Sequence, residues 1–110
     1  MLDVGCGSGT LAVAAALLGS ERVVAVDVDP EAVLATRANA VANGVADRVE
    51  VSDLDLAEVD GRYDAVVANI GLATLLDLAG ELAAHVRPAG HLVCSGLLAE
   101  DAETLAGALV

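Results

Sequence analysis

Three glycines fall within five residues, Gly5, Gly7 and Gly9 of Asp3-Val4-Gly5-Cys6-Gly7-Ser8-Gly9, between an apolar start and the run Thr10-Leu11-Ala12-Val13-Ala14-Ala15-Ala16-Leu17-Leu18. The pattern reads as strand, tight turn, helix. Without Cβ atoms such a turn brings the backbone close to a ligand, and the first N–H groups of the following helix stay open. The dinucleotide fingerprint requires glycines at its first, third and sixth positions. Here the sixth is Thr10, and Asp3, two residues ahead of Gly5, would repel a pyrophosphate. The turn suits a ligand with a cationic end better than a nicotinamide dinucleotide.

Downstream, short β-rich runs alternate with helical ones, the signature of right-handed βαβ units and a parallel sheet. Val23-Val24-Ala25-Val26 is continuously apolar, as in a strand covered on both faces, and it ends at Asp27. Asp29 as N-cap and Pro30 at the first helical position open a helix that Gly44 stops after Asn43. Arg48 to Val51 predicts a third strand ending near Ser52 and Asp53, and Asp55 to Asp60 reads as loop. Tyr63 to Ala68 is a fourth strand that delivers Asn69. The leucines at Leu75, Leu76, Leu78 and Leu82 predict a helix from about Ala73 to Val86, which Arg87-Pro88-Ala89-Gly90 breaks. His91 to Leu97 is the expected fifth strand and Asp101 to Leu109 a last helix.

This order predicts an α/β fold whose parallel sheet runs 3-2-1-4-5 with helices on both faces. Ligands of such sheets bind beyond the carboxyl ends of the strands, beside the switch in strand order. Asp3, Gly5, Gly7, Asp27, Asp53 and Asn69 all arrive at that edge. Asp27 closes the second strand, 22 residues after Gly5, where an acid can accept hydrogen bonds from both ribose hydroxyls of an adenosine. The competing role, capping the next helix, falls to Asp29.

A chain of 110 residues suits one domain with a modest core. Its longest apolar run, Leu11 to Leu18, has eight residues, far short of the ~20 of a membrane helix. The start has no basic segment of a secretory signal, so a soluble cytoplasmic protein is expected. Five arginines against seventeen acids give a formal charge of -12, which disfavours direct nucleic-acid binding and favours basic partners, or reads simply as a solvated acidic surface. With one strand between them, Cys6 and Cys94 would lie about 9–10 Å apart and remain free thiols. No Cys-x-x-Cys or histidine cluster points to a metal. His85 and His91 fall at the opposite sheet edge and are expected as surface or capping residues.

Asp3 to Gly9 resembles motif I of the S-adenosylmethionine-dependent methyltransferases with a Rossmann-like fold, and the similarity runs the length of the chain. The resemblance implies S-adenosyl-L-methionine as cofactor. Its methionine part would lie on the loop of Gly5, Gly7 and Gly9, with Asp3 near the ammonium or joined to it through water, and with the ribose on Asp27. It further implies that Asp53 takes the adenine amino group, the alternative being a solvated turn acid beside Asp55 and Asp60, and that Leu54 offers its backbone N–H to the ring. Asn69 lies in Ala68-Asn69-Ile70-Gly71-Leu72. Its amide oxygen can hold a nucleophilic amine with the lone pair aimed at the sulfonium methyl, unless it is a turn-forming asparagine. Methyltransferases of DNA adenine or of glutamine carry prolines and an aromatic here; this chain has neither, so a flipped base is poorly supported.

The chain is most similar to the ribosomal protein L11 methyltransferases, which modify amino groups of a large-subunit ribosomal protein. Those enzymes typically read Asn-Ile-Leu at this point and Ser-Gly-Ile-Leu after the fifth strand. The chain has Asn69-Ile70-Gly71 and Ser95-Gly96-Leu97-Leu98, and Asp27-Val28-Asp29-Pro30, Asn39 and Asn43-Gly44-Val45 are similar too. Gly71 departs from the pattern, which affects side-chain contact with the substrate. The resemblance implies a protein N-methyltransferase core over residues 1–110, working by direct displacement on a ribosomal protein, without a recognition domain and lacking the usual sixth and seventh strands. An apolar sheet edge left open in this way predicts weak stability or self-association. The alternatives are a methyltransferase of the same fold acting on a small molecule or RNA, and a cofactor-binding remnant without activity.

Overall fold

The structure, a computed structural model, describes residues 1–94. Five parallel strands form one sheet, β1 (Leu2–Val4), β2 (Val23–Val26), β3 (Val49–Ser52), β4 (Tyr63–Ala68) and β5 (Val86–Cys94), in the order β3-β2-β1-β4-β5. Three helices join them: α1 (Thr10–Leu17), α2 (Pro30–Ala42) and α3 (Leu72–Ala84). The expected Rossmann-like sheet is what forms, with the switch in strand order at β1. The expected last helix and the segment Ser95-Gly96-Leu97-Leu98 lie outside the described residues.

Alternation along the strands divides the core into two layers. Leu2, Val4, Val24, Val26, Val66 and Ala68 face α3 and a 3₁₀ turn at Leu56–Glu58, packing on Leu56, Leu75 and Leu82. Val23, Ala25 and Val51 face the other way, onto Ala12, Val13 and Ala16 of α1 and Val33 and Ala40 of α2. Every residue of β1 and β2 is buried, which is why β2 reads as an unbroken apolar run. α2 starts as its residues demand: the Asp29 carboxylate accepts from the Glu31 N–H at 2.9 Å, and Pro30 follows where no N–H is needed.

Three boundaries differ from expectation. The loop after β3 contains the 3₁₀ turn, held by the Asp55 N–H donating to Glu58 Oε1 at 3.2 Å. α3 ends at Ala84 rather than Val86. His85, expected at the surface or as a cap, does cap α3 but is only 8% exposed, with its ring nitrogens 2.6 Å from the Glu81 carbonyl oxygen and 2.8 Å from that of Val59. β5 begins at Val86, not His91, because Val86 already pairs with Tyr63. Pairing resumes at Ala65 with His91, so Arg87 to Gly90 bulge out opposite Asp64. Proline has no ladder donor and sits there without loss. The remainder of the expected fifth strand, to Leu97, is outside the described residues.

Cys6 is buried, Cys94 is half-buried, and both are free; burial pushes each thiol above its ordinary range. Among the described residues no helix is long and apolar enough to cross a membrane, and no three His, Cys, Asp or Glu side chains group as metal ligands.

Candidate ligand site at the carboxyl edge of the sheet

The bend after β1 is tied to the end of β2. The N–H groups of Gly5 and Cys6 both donate to the Val26 carbonyl, at 2.8 and 3.1 Å. All three glycines of the bend have φ between 56° and 83°, the left-handed region that costs a residue with a side chain. Space excludes a side chain as well at two of them. A Cβ on Gly5 would collide with Ile70 Cγ2, and one on Gly9 would meet Thr36 Cγ2 at 2.7 Å and its Cα at 3.0 Å.

Asp27 turns back onto this bend. Its Oδ2 accepts from the Gly7 N–H at 2.9 Å and its Oδ1 from the Asp29 N–H at 3.0 Å. A carboxylate offers about four lone-pair sites, so half its capacity remains for a ligand. Asp27 and the bend border a cavity of about 720 Å³, within the range of small-molecule sites. Gly5, Gly7, Asp27, Leu54 and Asn69, all expected at the site, line it together. Val28, Leu56 and Ile70 give it apolar walls, and Asp55, Asp77 and Glu81 add acids with no arginine among its lining residues. Such a wall favours a cationic guest with an apolar body.

Three of the expected residues stand outside that wall. Gly9 caps α1 and packs on Thr36. Asp53 borders a separate concavity of about 320 Å³ with Pro30, Arg37 and Ser52, while Asp55 takes the place beside Leu54. Asp3 is only 1% exposed, and its Oδ2 has no hydrogen-bond partner. Burial first, and the charge of Asp27 second, raise its carboxyl to about 6. An acid held this way seeks a positive charge or a bridging donor.

Thr36 and Asn39 of α2, to which the sequence alone gives no role, touch the bend. Thr36 donates to the Gly7 carbonyl at 3.1 Å, and Asn39 Nδ2 donates to that of Ser8 at 2.7 Å. Asn39 carried a signal as one of the residues similar to the family; a single threonine inside a helix carried none.

The chain is similar to known proteins. The family model for ribosomal protein L11 methyltransferase (PrmA) matches residues 1–109. A ribosomal protein L11 methyltransferase from a Geobacter species is 55% identical over 100 residues, 91% of this chain and 33% of that protein. The chain thus spans about a third of the length of the curated relatives it matches. Among solved structures, the ribosomal protein L11 methylase of Lactobacillus delbrueckii subsp. bulgaricus superposes with a TM-score of 0.91 at 38% identity, covering 98% of this chain and 56% of that one. An RNA methyltransferase from Salinibacter ruber, solved in complex with S-adenosyl-L-homocysteine, gives a TM-score of 0.76 at 31% identity, over 84% of this chain and 61% of that one.

Proposed function

This chain belongs to the ribosomal protein L11 methyltransferase family, and on that premise we propose that it forms the core of an S-adenosyl-L-methionine-dependent N-methyltransferase, acting in the cytoplasm on amino groups of ribosomal protein L11. The observation that carries the reading is the meeting of Asp27 and the glycine bend, through the Gly7 N–H, on the wall of the cavity that Asn69 also borders.

The residues present fit the cofactor. Asp27 has acceptor capacity left for two ribose hydroxyls. Val28, Leu54 and Leu56 supply apolar surface for a purine. The buried Asp3, with an unpartnered oxygen close to the bend, supplies the negative charge that an ammonium needs. When bound, S-adenosyl-L-methionine supplies a methyl group activated on a sulfonium.

The chain's own part is then orientation. Asn69, exposed at the end of β4, accepts a hydrogen bond from an incoming amine through its amide oxygen and so fixes the direction of the lone pair. Such fixing of two reactants is worth several kcal/mol of barrier. Asp55, Asp77 and Glu81 draw a basic side chain toward the cavity and oppose anionic competitors.

Calorimetric titration with S-adenosyl-L-methionine tests the reading. Binding by the wild-type chain is expected to weaken about 10- to 100-fold in Asp27→Ala, the scale of a hydrogen bond to a charged group. Equal affinity in the two proteins contradicts the ribose contact. Radiolabelled cofactor should then mark amines of ribosomal protein L11; tight binding with no labelled L11 would keep the cofactor and remove the substrate.

A further inference from the structure

The hydrogen bonds of α2 lead past the cofactor contacts themselves. Thr36 is fully buried in the middle of a helix, an unfavourable place for a hydroxyl unless it has a partner. Its Oγ1 donates to the Gly7 carbonyl at 3.1 Å and lies 3.4 Å from Cys6 Sγ. A hydroxyl has a single proton, so with that proton on Gly7 the Cys6 thiol must donate to Thr36. The result is a directed chain, Cys6 to Thr36 to the Gly7 carbonyl. One turn further along, Asn39 donates to the next carbonyl, that of Ser8, at 2.7 Å. Gly9 lies against Thr36 with no room for a Cβ.

We infer that Thr36 and Asn39 are positioning residues that tie the glycine bend back by two successive carbonyls, so that its ligand side keeps the peptide orientation needed to receive the amino-acid end of the cofactor. This rests on the cofactor assigned above. Peptides beside glycine rotate readily. Turning the Gly7 or Ser8 carbonyl away from α2 would break one of these bonds and would put an acceptor oxygen where a carboxylate-bearing tail has to lie. The same helix holds the other half of the site, since the Asp29 N–H at its cap donates to Asp27 Oδ1 at 3.0 Å. α2 therefore sets the distance between the ribose acid and the bend that takes the tail.

The test compares two ligands on the full chain: S-adenosyl-L-homocysteine, which has the amino-acid tail, and 5′-methylthioadenosine, which lacks it. Thr36→Val keeps the shape and removes the hydroxyl. It should weaken S-adenosyl-L-homocysteine about 3- to 10-fold, the scale of one neutral hydrogen bond, and shift 5′-methylthioadenosine by less than about 2-fold. Thr36→Ser should restore the wild-type ratio. Asn39→Ala, at an exposed residue, should give the same split and decides the matter if Thr36→Val fails to fold. Equal weakening of both ligands, or none, overturns the inference. Amide hydrogen exchange in the ligand-free chain separates this from the cofactor assignment: faster exchange at Gly7, Ser8 and Gly9 in Thr36→Val is expected, and unchanged exchange refutes the tie. A wild-type chain that binds neither ligand refutes the cofactor instead.

Discussion

The centre of the sheet and its β5 margin are built to different tolerances. β1 and β2 are short and wholly buried, and they pair in unbroken register. Their carboxyl ends are joined by the bonds from Gly5 and Cys6 to Val26. β5 is longer and mostly exposed or half-buried, and it loses register opposite Asp64. Its Arg87–Asp64 pair at 3.2 Å is well exposed, and such pairs add little stability. Tight packing is therefore concentrated where Asp3, Asp27 and the bend must keep their mutual geometry. The margin can absorb a four-residue bulge, Arg87 to Gly90, opposite the single residue Asp64 without disturbing that edge.

The largest effect that could break this contrast is at Gly9. Gly9→Ala should destabilise the fold by about 2–5 kcal/mol, combining overpacking against Thr36 with a left-handed φ of 83°. Urea denaturation measures it, and a loss below ~1 kcal/mol would mean that the centre yields as easily as the margin.

Asp3 gives the next effect, with a defined sign. Its folded carboxyl titrates at about 6 against an ordinary 3.8, so the folded state holds a proton that the unfolded chain has released between those values. Stability from this group is full below pH ~4, falls as pH rises to ~6, and stays lower above it. Asp3→Asn should therefore stabilise the ligand-free chain by on the order of 2–3 kcal/mol at pH 7.5, with the gap closing below pH 4, while cofactor affinity falls. Thermal melts of both proteins across pH 4–8 read this directly. A variant less stable than wild type at pH 7.5 would show that the carboxylate is satisfied in the fold.

At the margin, Ala89 has a φ of 66° without being glycine. Ala89→Gly relieves that strain against the extra entropy of a glycine, for a net gain of about 0.5–1 kcal/mol. The same melts resolve it, and a loss of stability would place the bulge among the rigid parts.

What could be read from the residues follows the same division. β2 was legible to the residue because burial on both faces leaves an apolar run, β4 because Tyr63 to Ala68 is β-rich apart from the exposed Asp64, and α2 because Asp29-Pro30 is a strong start. Asp27 was legible because it is the first polar residue after such a run. The start of β5 was hidden: Arg87-Pro88-Ala89-Gly90 has the chemistry of a break, and only the pairing of Val86 with Tyr63 makes Val86 the start of a strand. Among three aspartates in one loop, nothing local distinguishes Asp53 from Asp55. The chain direction after Ser52 does, sending Asp53 toward α2 and Asp55 into the cavity wall. Thr36 was invisible for a related reason, since its partner Gly7 is 29 residues away in the chain and a threonine inside a helix carries no pattern of its own.

A crystal structure of the chain with S-adenosyl-L-homocysteine tests whether Asp27 and the glycine bend hold the two ends of one ligand. Both ribose hydroxyls are expected within about 3 Å of the Asp27 carboxylate, with the amino-acid tail over Gly5 and Gly7. A nucleoside bound elsewhere, with Asp27 still holding only the Gly7 and Asp29 N–H groups, would contradict it.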